Sequence, residues 1–416
     1  MTSVTRRALL ASAAGLGTAA ALPDPGASAR PLSSNGSGGA AAGNSDAAHA
    51  WRTYRHDNRR TGAVVETAIT PATVTRLKPA GGFGDRWYNF LGDPHSPVMS
   101  LDTIAYTGAR GKVATRRLRP TGNSWAAKTE SWVHDDPAWP VLGEDIVLLG
   151  SENRGAIAVD RLTGTTQWIN RPVIEDFHAA PLLSGERVHL VGGGGTVSTL
   201  RTASGELLWQ QPGRAWYDTS TADAWCAPAV WQDALYVATT KLACLDAATG
   251  QIRWSVPLPH SDYAHEAVTL ADGRAFVPGF TYGLHALDAR TGARLWSVEL
   301  GRTGAVATSG GRVYARSATG MHCLDAATGR LVWRTTTGVG KSTGAGAAAT
   351  IAGGIVYSVG DLGTQILDER VVAADAATGQ VLWTSAPGTQ IFSEVIITAG
   401  SLYVVDDTQI ARYRLA

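Results

Sequence analysis

One short pattern recurs along this chain at near-constant spacing and constrains the fold more than any other feature. The pattern is a small residue, any residue, Asp, two residues, Thr or Ser, Gly, three residues and Trp. Complete copies run from Asp160 to Trp168, Asp246 to Trp254, Asp288 to Trp296, Asp325 to Trp333 and Asp375 to Trp383, and a weaker copy without the Asp runs from Ala203 to Trp209. The copies advance by about 43 residues, a period that is typical of a four-stranded propeller blade.

The residues of the pattern predict a strand, a tight turn and a returning strand. Gly283 to Leu287 has the composition of a strand. The Asp side chain can hold the following turn through hydrogen bonds to nearby backbone, and the Gly allows a positive φ at the end of the turn. Leu331 and Trp333 then share one face of the returning strand. A strand pair is also predicted before each copy, most clearly around Gly310 and Gly311.

The number of copies predicts an all-β, eight-bladed propeller of four-stranded antiparallel blades, with seven blades as the alternative. A degenerate first copy begins at Ser96 and runs to about Trp132. The last copy, residues 394–415, supplies only three strands, and its fourth can come from residues 75–79 near the start of the fold. Pairing the two chain ends in this way would close the ring and remove the exposed sheet edge.

The Asp-Ala-x-Thr-Gly-x-x-x-Trp copies are similar to the repeat of pyrroloquinoline-quinone-type propellers, and the resemblance covers nearly all of residues 51–416. The segment from Trp51 to Gly62 also resembles the leader of many secreted members. The resemblance implies that the motif tryptophans dock blade against blade. The family includes quinoprotein alcohol dehydrogenases, the outer-membrane assembly lipoprotein and sensor domains of bacterial kinases, so the fold alone does not choose a function.

The first 29 residues are interpreted as an export signal. Arg6 and Arg7 precede a weakly apolar run that ends near Leu22, and residues 27–29 offer a cleavage site of small residues. The Arg pair followed by x-Leu-Leu is similar to a twin-arginine signal, with an ordinary secretory signal as the alternative. Residues 30–50 are rich in Gly, Ser and Ala and predict a flexible linker. A single propeller domain, 51–416, would remain as a secreted protein.

The net charge and the cysteine content indicate which binding partners and which disulfides we expect. The formal net charge is +1, which argues against nucleic acid as a partner, and no apolar stretch outside the N-terminus resembles a membrane span. The chain has three cysteines, a sparse set that argues against a disulfide framework. Cys244 and Cys323 occupy the slot that Ala fills in other copies, so we expect them to be small buried residues. We expect a monomer.

In a propeller, the loops into the innermost strands and the loops between second and third strands lie on one face, here called the top face. The loops into blades 1, 3, 4 and 5 concentrate aromatic, acidic and histidine residues on this face. The candidate acid–base residues are His95, His178, Asp218, Tyr263, His265 and Glu266. The candidate ligand-binding residues are Trp87, Tyr88, Arg214, Trp216, Tyr217, Trp225 and Tyr282.

These loops favour a top face that binds a small molecule, glycan or peptide. The alternative is that the loops are polar because they are exposed to solvent, and that their aromatic residues only pack the loops against the blades. A second hypothesis is a cofactor-independent lyase, hydrolase or isomerase that uses the acid–base candidates.

Cofactors are less favoured by the sequence. A metal held by His95, His178, His265 and Glu266 has no H-x-E or H-E-x-x-H spacing to support it. The dehydrogenases of the resembled family share a pair of adjacent cysteines, which this chain lacks. Pyrroloquinoline quinone is therefore disfavoured, and no cofactor is predicted.

Overall fold

The computed structural model describes residues 50–83, 97–108, 112–118, 124–128, 140–151, 155–170, 179–192, 195–213, 226–264, 266–317, 319–336, 348–361, 369–386, 394–405 and 409–416. In these residues the chain forms eight sheets that follow one another as the blades of a β-propeller, so the eight-bladed prediction is confirmed. Val74–Arg76 and Pro259–Ser261 form short 3₁₀ turns.

Blades 1 to 4 each consist of four consecutive antiparallel strands. Blade 1 contains β3 (Val98–Met99), β4 (Thr103–Gly108), β5 (Lys112–Arg117) and β6 (Trp125–Lys128). Blade 2 contains β7 (Val141–Leu142), β8 (Ile146–Ser151), β9 (Gly155–Asp160) and β10 (Thr166–Asn170). Blade 3 contains β11 (Leu182–Ser184), β12 (Arg187–Val191), β13 (Val197–Arg201) and β14 (Leu207–Gln211). Blade 4 contains β15 (Ala229–Trp231), β16 (Ala234–Ala238), β17 (Lys241–Asp246) and β18 (Ile252–Pro257).

Blades 5 and 6 repeat this order, whereas blades 7 and 8 also use strands from the start of the fold. Blade 5 contains β19 (Thr269–Ala271), β20 (Arg274–Pro278), β21 (Gly283–Asp288) and β22 (Arg294–Glu299). Blade 6 contains β23 (Ala307–Ser309), β24 (Arg312–Ser317), β25 (Gly320–Asp325) and β26 (Leu331–Thr335). Blade 7 contains β27 (Thr350–Ala352), β28 (Ile355–Asp361), β29 (Glu369–Asp375) and β30 (Val381–Thr384), with β1 (Ala63–Val64) parallel to β27. Blade 8 contains β31 (Ile396–Thr398), β32 (Ser401–Val405), β33 (Ile410–Leu415) and β2 (Leu77–Phe83).

The chain ends close the ring inside blade 8, as the sequence predicted. Strand β2 pairs antiparallel with β33, and Leu77 lies opposite Leu415. In blade 1 the outermost strand begins with Trp125, which lies against Gly164 of blade 2 and donates from Nε1 to the Arg161 carbonyl at 2.7 Å. Trp125 therefore takes the docking position in blade 1, and Trp132 lies outside the described residues.

In blades 1 to 6, a tryptophan of the outermost strand packs against a glycine of the next blade. The indole of Trp296 lies on Gly329 of blade 6, where an added Cβ would come within 2.7 Å of the ring, and Nε1 donates to the Ala326 carbonyl at 3.1 Å. Gly329 has a φ of 71°, so its turn also needs the left-handed conformation. The same contact joins Trp168 to Gly205, Trp209 to Gly250, Trp254 to Gly292 and Trp333 to Gly379. The motif tryptophans therefore lie at blade interfaces, as the resemblance implied.

The motif aspartate holds the turn that carries this glycine. Oδ1 of Asp246 accepts hydrogen bonds from the N–H groups of Ala248 and Thr249 at 3.0 and 2.9 Å, and from the Thr249 hydroxyl at 3.0 Å. All three cysteines are buried and unbonded, and Cys244 lies in the apolar cluster between blades 4 and 5. Each motif position thus has a structural role at a blade interface.

Residues 51–62, here called the leader segment, lie where the inner strands converge on the propeller axis. The carbonyl of Trp51 accepts the N–H of Met99 in blade 1, and the carbonyl of Arg52 accepts the N–H of Leu142 in blade 2. The leader carbonyls of Asn58, Arg59, Thr61 and Gly62 accept N–H groups from the inner strands of blades 4, 5, 6 and 7. The leader therefore ties these blades to one another.

Two leader arginines are fully buried and draw on the blades for their hydrogen bonds. Nη1 of Arg55 lies 2.9 Å from the Glu394 carboxylate of blade 8, and Nη2 donates to the carbonyls of Val306 and Ala349. The acceptors of Arg60 are the carbonyls of Tyr54, Ala180, Pro181 and Pro228 and the hydroxyl of Thr53. Burying a guanidinium is unfavourable unless its donors are paired, so the leader and the blades depend on each other.

Truncating a docking tryptophan tests the blade register. Trp254→Ala and Trp296→Ala should each lower the free energy of unfolding by about 3–5 kcal/mol, because each removes a large indole from a blade interface. Leu295→Ala is the control, since Leu295 is 44% exposed, and its cost should stay below about 1 kcal/mol. Urea titration followed by circular dichroism measures both. Losses below about 1 kcal/mol at both tryptophans would contradict the register.

Removing the charge of Glu394 tests the axial ion pair. Glu394→Gln keeps the side-chain volume but leaves the buried Arg55 guanidinium without its carboxylate, so the free energy of unfolding should fall by about 3–5 kcal/mol. The matched control is Glu206→Gln, which breaks the 3.1 Å pair with Arg201 on the surface and should cost at most about 1 kcal/mol. Equal denaturation midpoints for the two variants would show that the axial pair contributes no more than a surface pair.

Two buried histidines should make the protein less stable in mild acid. Burial and then the nearby Arg187 lower the pKa of His189 to about 3, and burial followed by Arg334 and Arg316 lowers the pKa of His322 to about 4. The unfolded chain takes up these protons near pH 6.5, so stability is present above that pH and falls below it. At pH 5 each histidine should cost about 2 kcal/mol. Urea midpoints at pH 7 and pH 5 measure this, and His189→Asn should reduce the difference.

Candidate functional site

The topology places the loops around blade 5 together on the top face. Residues 258–268 connect the outermost strand of blade 4 to the innermost strand of blade 5, and residues 279–282 connect β20 to β21. Residues 300–306 lead from blade 5 into blade 6. The Thr303 N–H donates to the Gly279 carbonyl, and the Phe280 N–H donates to the Tyr263 carbonyl, so the three loops are joined by backbone hydrogen bonds. We call this surface the blade-5 face.

Three of the predicted site residues lie on the blade-5 face. Tyr263 and Glu266 come from the loop into blade 5, and Tyr282 comes from the loop between β20 and β21. The other candidates, His95, His178, Asp218, His265, Trp87, Tyr88, Arg214, Trp216, Tyr217 and Trp225, lie outside the described residues.

Glu266 is supported from below by a tyrosine of the leader. The Tyr54 hydroxyl donates to Oε2 of Glu266 at 2.9 Å. Burial and then the carboxylates of Glu266 and Glu394 raise the pKa of Tyr54 well above its usual value, so Tyr54 remains a donor. The Tyr54 ring shares one apolar cluster with an alanine from each of blades 3 to 7, namely Ala180, Ala227, Ala267, Ala305 and Ala348. Tyr54 therefore fills the axis beneath the half-buried Glu266 carboxylate.

Aromatic rings line the blade-5 face in two stacks. Tyr263 stacks on Phe280 with ring centroids 4.7 Å apart, and the Arg302 guanidinium lies 4.7 Å from the centroid of the Phe280 ring. His260 stacks on Tyr282 with centroids 3.8 Å apart and an interplanar angle of 9°. Tyr263, Phe280, Tyr282 and Arg302 are half-buried and His260 is exposed, so these planar groups are accessible to a ligand.

Buried Asp262 fixes the loops that carry these stacks. Its Oδ1 accepts the N–H groups of Tyr263 and Thr281 at 2.9 Å each, and its Oδ2 accepts the N–H of Tyr282 at 2.8 Å. Nε2 of His285 lies 3.2 Å from Oδ2. Burial alone would raise the pKa of Asp262, but the hydrogen bonds from His285 and the backbone outweigh it and lower the pKa to about 2. Asp262 is thus an ionised anchor beneath the surface.

The loop into blade 5 also holds unfavourable backbone conformations. His260, Ser261 and Glu266 have φ values of 61°, 52° and 69°, in the left-handed region that residues other than glycine seldom adopt. Such strain persists only where the surrounding structure enforces it, and it concentrates at functional sites.

The arrangement combines planar groups, one guanidinium and one carboxylate on a fixed backbone. It can stack on a ring, donate to an acceptor through Arg302 and accept a donor at Glu266. Among the residues that the structure describes, no group of three or more His, Cys, Asp or Glu side chains is placed to hold a metal ion.

Sequence reasoning missed several members of this surface. It did not predict that Arg302 stacks on Phe280, and it gave Tyr54 no role. One signal was present, because a small residue precedes the inner strand in successive blades, as at Ala227, Ala267 and Ala305. That recurrence indicates a narrow axis, with room for one ring.

Fold and repeat define a β-propeller of the pyrroloquinoline-quinone-like repeat class. A family model described as outer membrane protein assembly factor BamB (PQQ_2) matches residues 102–222, 193–281 and 281–415. The chain therefore belongs to this family. A search of curated protein sequences finds no significant match.

Several solved structures share this fold at low sequence identity. BamB from Moraxella catarrhalis superimposes with a TM-score of 0.63 and 16% identity over 81% of this chain and 97% of that one. The quinohemoprotein alcohol dehydrogenase from Comamonas testosteroni gives 0.70 and 14% identity over 88% and 80%. A europium-containing methanol dehydrogenase gives 0.71 and 14% identity over 87% and 90%. At these identities the likeness shows the fold alone.

The described chain contains no helix that is long and apolar enough to cross a membrane.

Proposed function

We propose that this protein is a secreted binding propeller whose blade-5 face holds a small molecule, glycan or peptide. The single observation that carries the proposal is the stacked set of Tyr263, Phe280 and Arg302. A fixed aromatic wall with a few directed polar groups is typical of ligand sites. The strained backbone at Glu266 supports the same assignment. Secretion rests on the export signal predicted for residues 1–29.

A quinone cofactor, as the name of the quinohemoprotein alcohol dehydrogenase indicates for that protein, does not fit the described residues. Pyrroloquinoline quinone is a flat tricarboxylate, whereas a carboxylate, Glu266, lies on the axis of the blade-5 face above Tyr54. The three cysteines are buried singly at Cys226, Cys244 and Cys323, so no adjacent pair can contact a quinone. We derive no chemistry through this group.

A cofactor-independent enzyme at the same face is the second candidate function. Glu266 favours it, because a half-buried carboxylate in a strained conformation and bonded to Tyr54 suits acid–base work. Its other proposed acid–base residues are Tyr263 and the four candidates outside the described residues, His95, His178, Asp218 and His265. Turnover that is independent of pH between about 5 and 8 would argue against the histidines as its acid and base.

Native mass spectrometry of the full chain recovered from its own culture tests the binding proposal. We expect a non-covalent ligand mass, or a ligand that emerges when the protein is screened against glycans, peptides and metabolites. Tyr263→Ala and Phe280→Ala should weaken its binding at least about 5-fold, because each removes a stacking surface worth about 1 kcal/mol or more. Arg290→Ala, at an exposed turn on the opposite face of blade 5, is the control. A ligand that binds equally to all three variants would place the site elsewhere.

A further inference from the structure

Blade 5 contains a serine, a histidine and an aspartate joined end to end by hydrogen bonds. Oγ of Ser297 lies 3.0 Å from Nδ1 of His285, and Nε2 of His285 lies 3.2 Å from Oδ2 of Asp262. The side chains of His285 and Asp262 are fully buried, whereas Ser297 is half-buried on β22, the outermost strand of the blade. A hydroxyl on a histidine that is in turn oriented by a carboxylate is the connectivity of an activated serine.

The direction of each hydrogen bond follows from Asp262. Because its carboxylate is ionised, Asp262 can only accept a hydrogen bond from His285. In the uncharged form of His285, the ring proton is then on Nε2 and an unprotonated Nδ1 faces Ser297. The Ser297 hydroxyl must then donate to Nδ1, which is the arrangement in which histidine can remove the serine proton.

The repeat shows that blade packing does not require this trio. In blade 4 the equivalent strand position carries Ser255, which lies opposite Ala243 instead of a histidine. In blade 6 the equivalent of His285 is His322, which lies opposite Arg334 and contacts the Ser317 hydroxyl at 3.1 Å. Only in blade 5, among these three blades, are the serine, the histidine and the aspartate aligned.

We propose that Ser297 is a nucleophile, activated by His285 and Asp262, that takes acyl groups from activated esters. Ser297 Oγ attacks the carbonyl carbon while its proton passes to Nδ1 of His285. As the bond to the leaving oxygen breaks, that proton goes to the departing alcohol or phenol, which leaves an acyl ester on Ser297. Water then hydrolyses this ester, so that the net products are a carboxylic acid and an alcohol and Ser297 is restored.

The outer edge of the blade supplies the hydrogen-bond donors that the reaction needs. No strand of the described chain pairs with β22 on the side opposite β21. The outward N–H groups of such an edge strand are free of a sheet partner. Edge N–H groups of β22 can donate to the negative oxygen that forms during attack. This activity uses Ser297 on β22 and not the stacked rings of the blade-5 face, although Asp262 supports both.

A fluorophosphonate probe on the full chain tests the proposal, with Ser255 as the internal control. Ser255 follows Trp254 as Ser297 follows Trp296, and both serines are half-buried. Peptide mass spectrometry should show that Ser297 is labelled at least about 100-fold faster than Ser255, because a positioned base typically contributes 10²–10⁴-fold. Labelling of Ser297 at the rate of Ser255 would overturn the proposal without any variant being made.

Variants then test the two supporting residues. His285→Asn and Asp262→Asn should each slow Ser297 labelling and the hydrolysis of p-nitrophenyl acetate by about 100-fold. Ser255→Ala should change neither rate. Circular dichroism and the Tm establish that each variant is folded. A folded His285→Asn protein that labels Ser297 as fast as the natural chain would contradict the proposal. If that variant does not fold, the comparison of Ser297 with Ser255 decides.

Discussion

Two guanidinium groups buried on the axis set the geometry on which the rest of the propeller depends. Arg55 and Arg60 have few partners of their own within the leader, and carbonyls just before the inner strands of blades 3, 4, 6 and 7 provide most of their acceptors. A buried charge without partners costs several kcal/mol, so the blades cannot move outward without losing those bonds. The inner strands are therefore held at one radius.

That radius determines what the top face can present. Five alanines, one from each of blades 3 to 7, surround the axis and leave room for one tyrosine, Tyr54. The hydroxyl of Tyr54 donates to Glu266. The N–H groups of the next residues along the inner strand of blade 5 bond to the leader, as Leu270 does to Arg59. Glu266 is thus placed by contacts below it, and the stacks of Tyr263 and Phe280 are placed by Asp262 beside it. The carboxylate of Glu266 and the stacked rings of Tyr263 and Phe280 are therefore held in place by different residues.

The parts of this structure that repeat could be predicted from the sequence, and the parts that occur once could not. The Asp, Gly and Trp positions indicated blades, blade interfaces and ring closure, because each has a local physical role that recurs. Trp125 was missed, because Leu118 stands where the motif has Asp, and two residues instead of three separate Gly122 from this tryptophan. The leader contacts depend on residues far apart in the chain, as Trp51 and Glu394 are, 343 positions from each other. No local pattern encodes such a pairing.

The candidate site follows the same division. Loop position and residue type were enough to select Tyr263, Glu266 and Tyr282, but not the left-handed φ of Glu266 or the burial of Asp262. Strain in the loop of residues 258–268 is opposed by hydrogen bonds from outside it, namely three to Asp262 and one from Tyr54.

A loop that served only to connect two blades would need no such support, because the corresponding turn into blade 6 has no left-handed residue other than Gly301. In a repeat protein every blade packs against its neighbours in the same way. A group of residues that occurs in one blade alone is therefore not required for that packing. Blade 5 differs from blade 6 in its strained entry loop, and it contains a buried Asp262–His285 pair with Ser297 opposite His285. The chemistry proposed for blade 5 accounts for these departures, which the packing of the ring does not require.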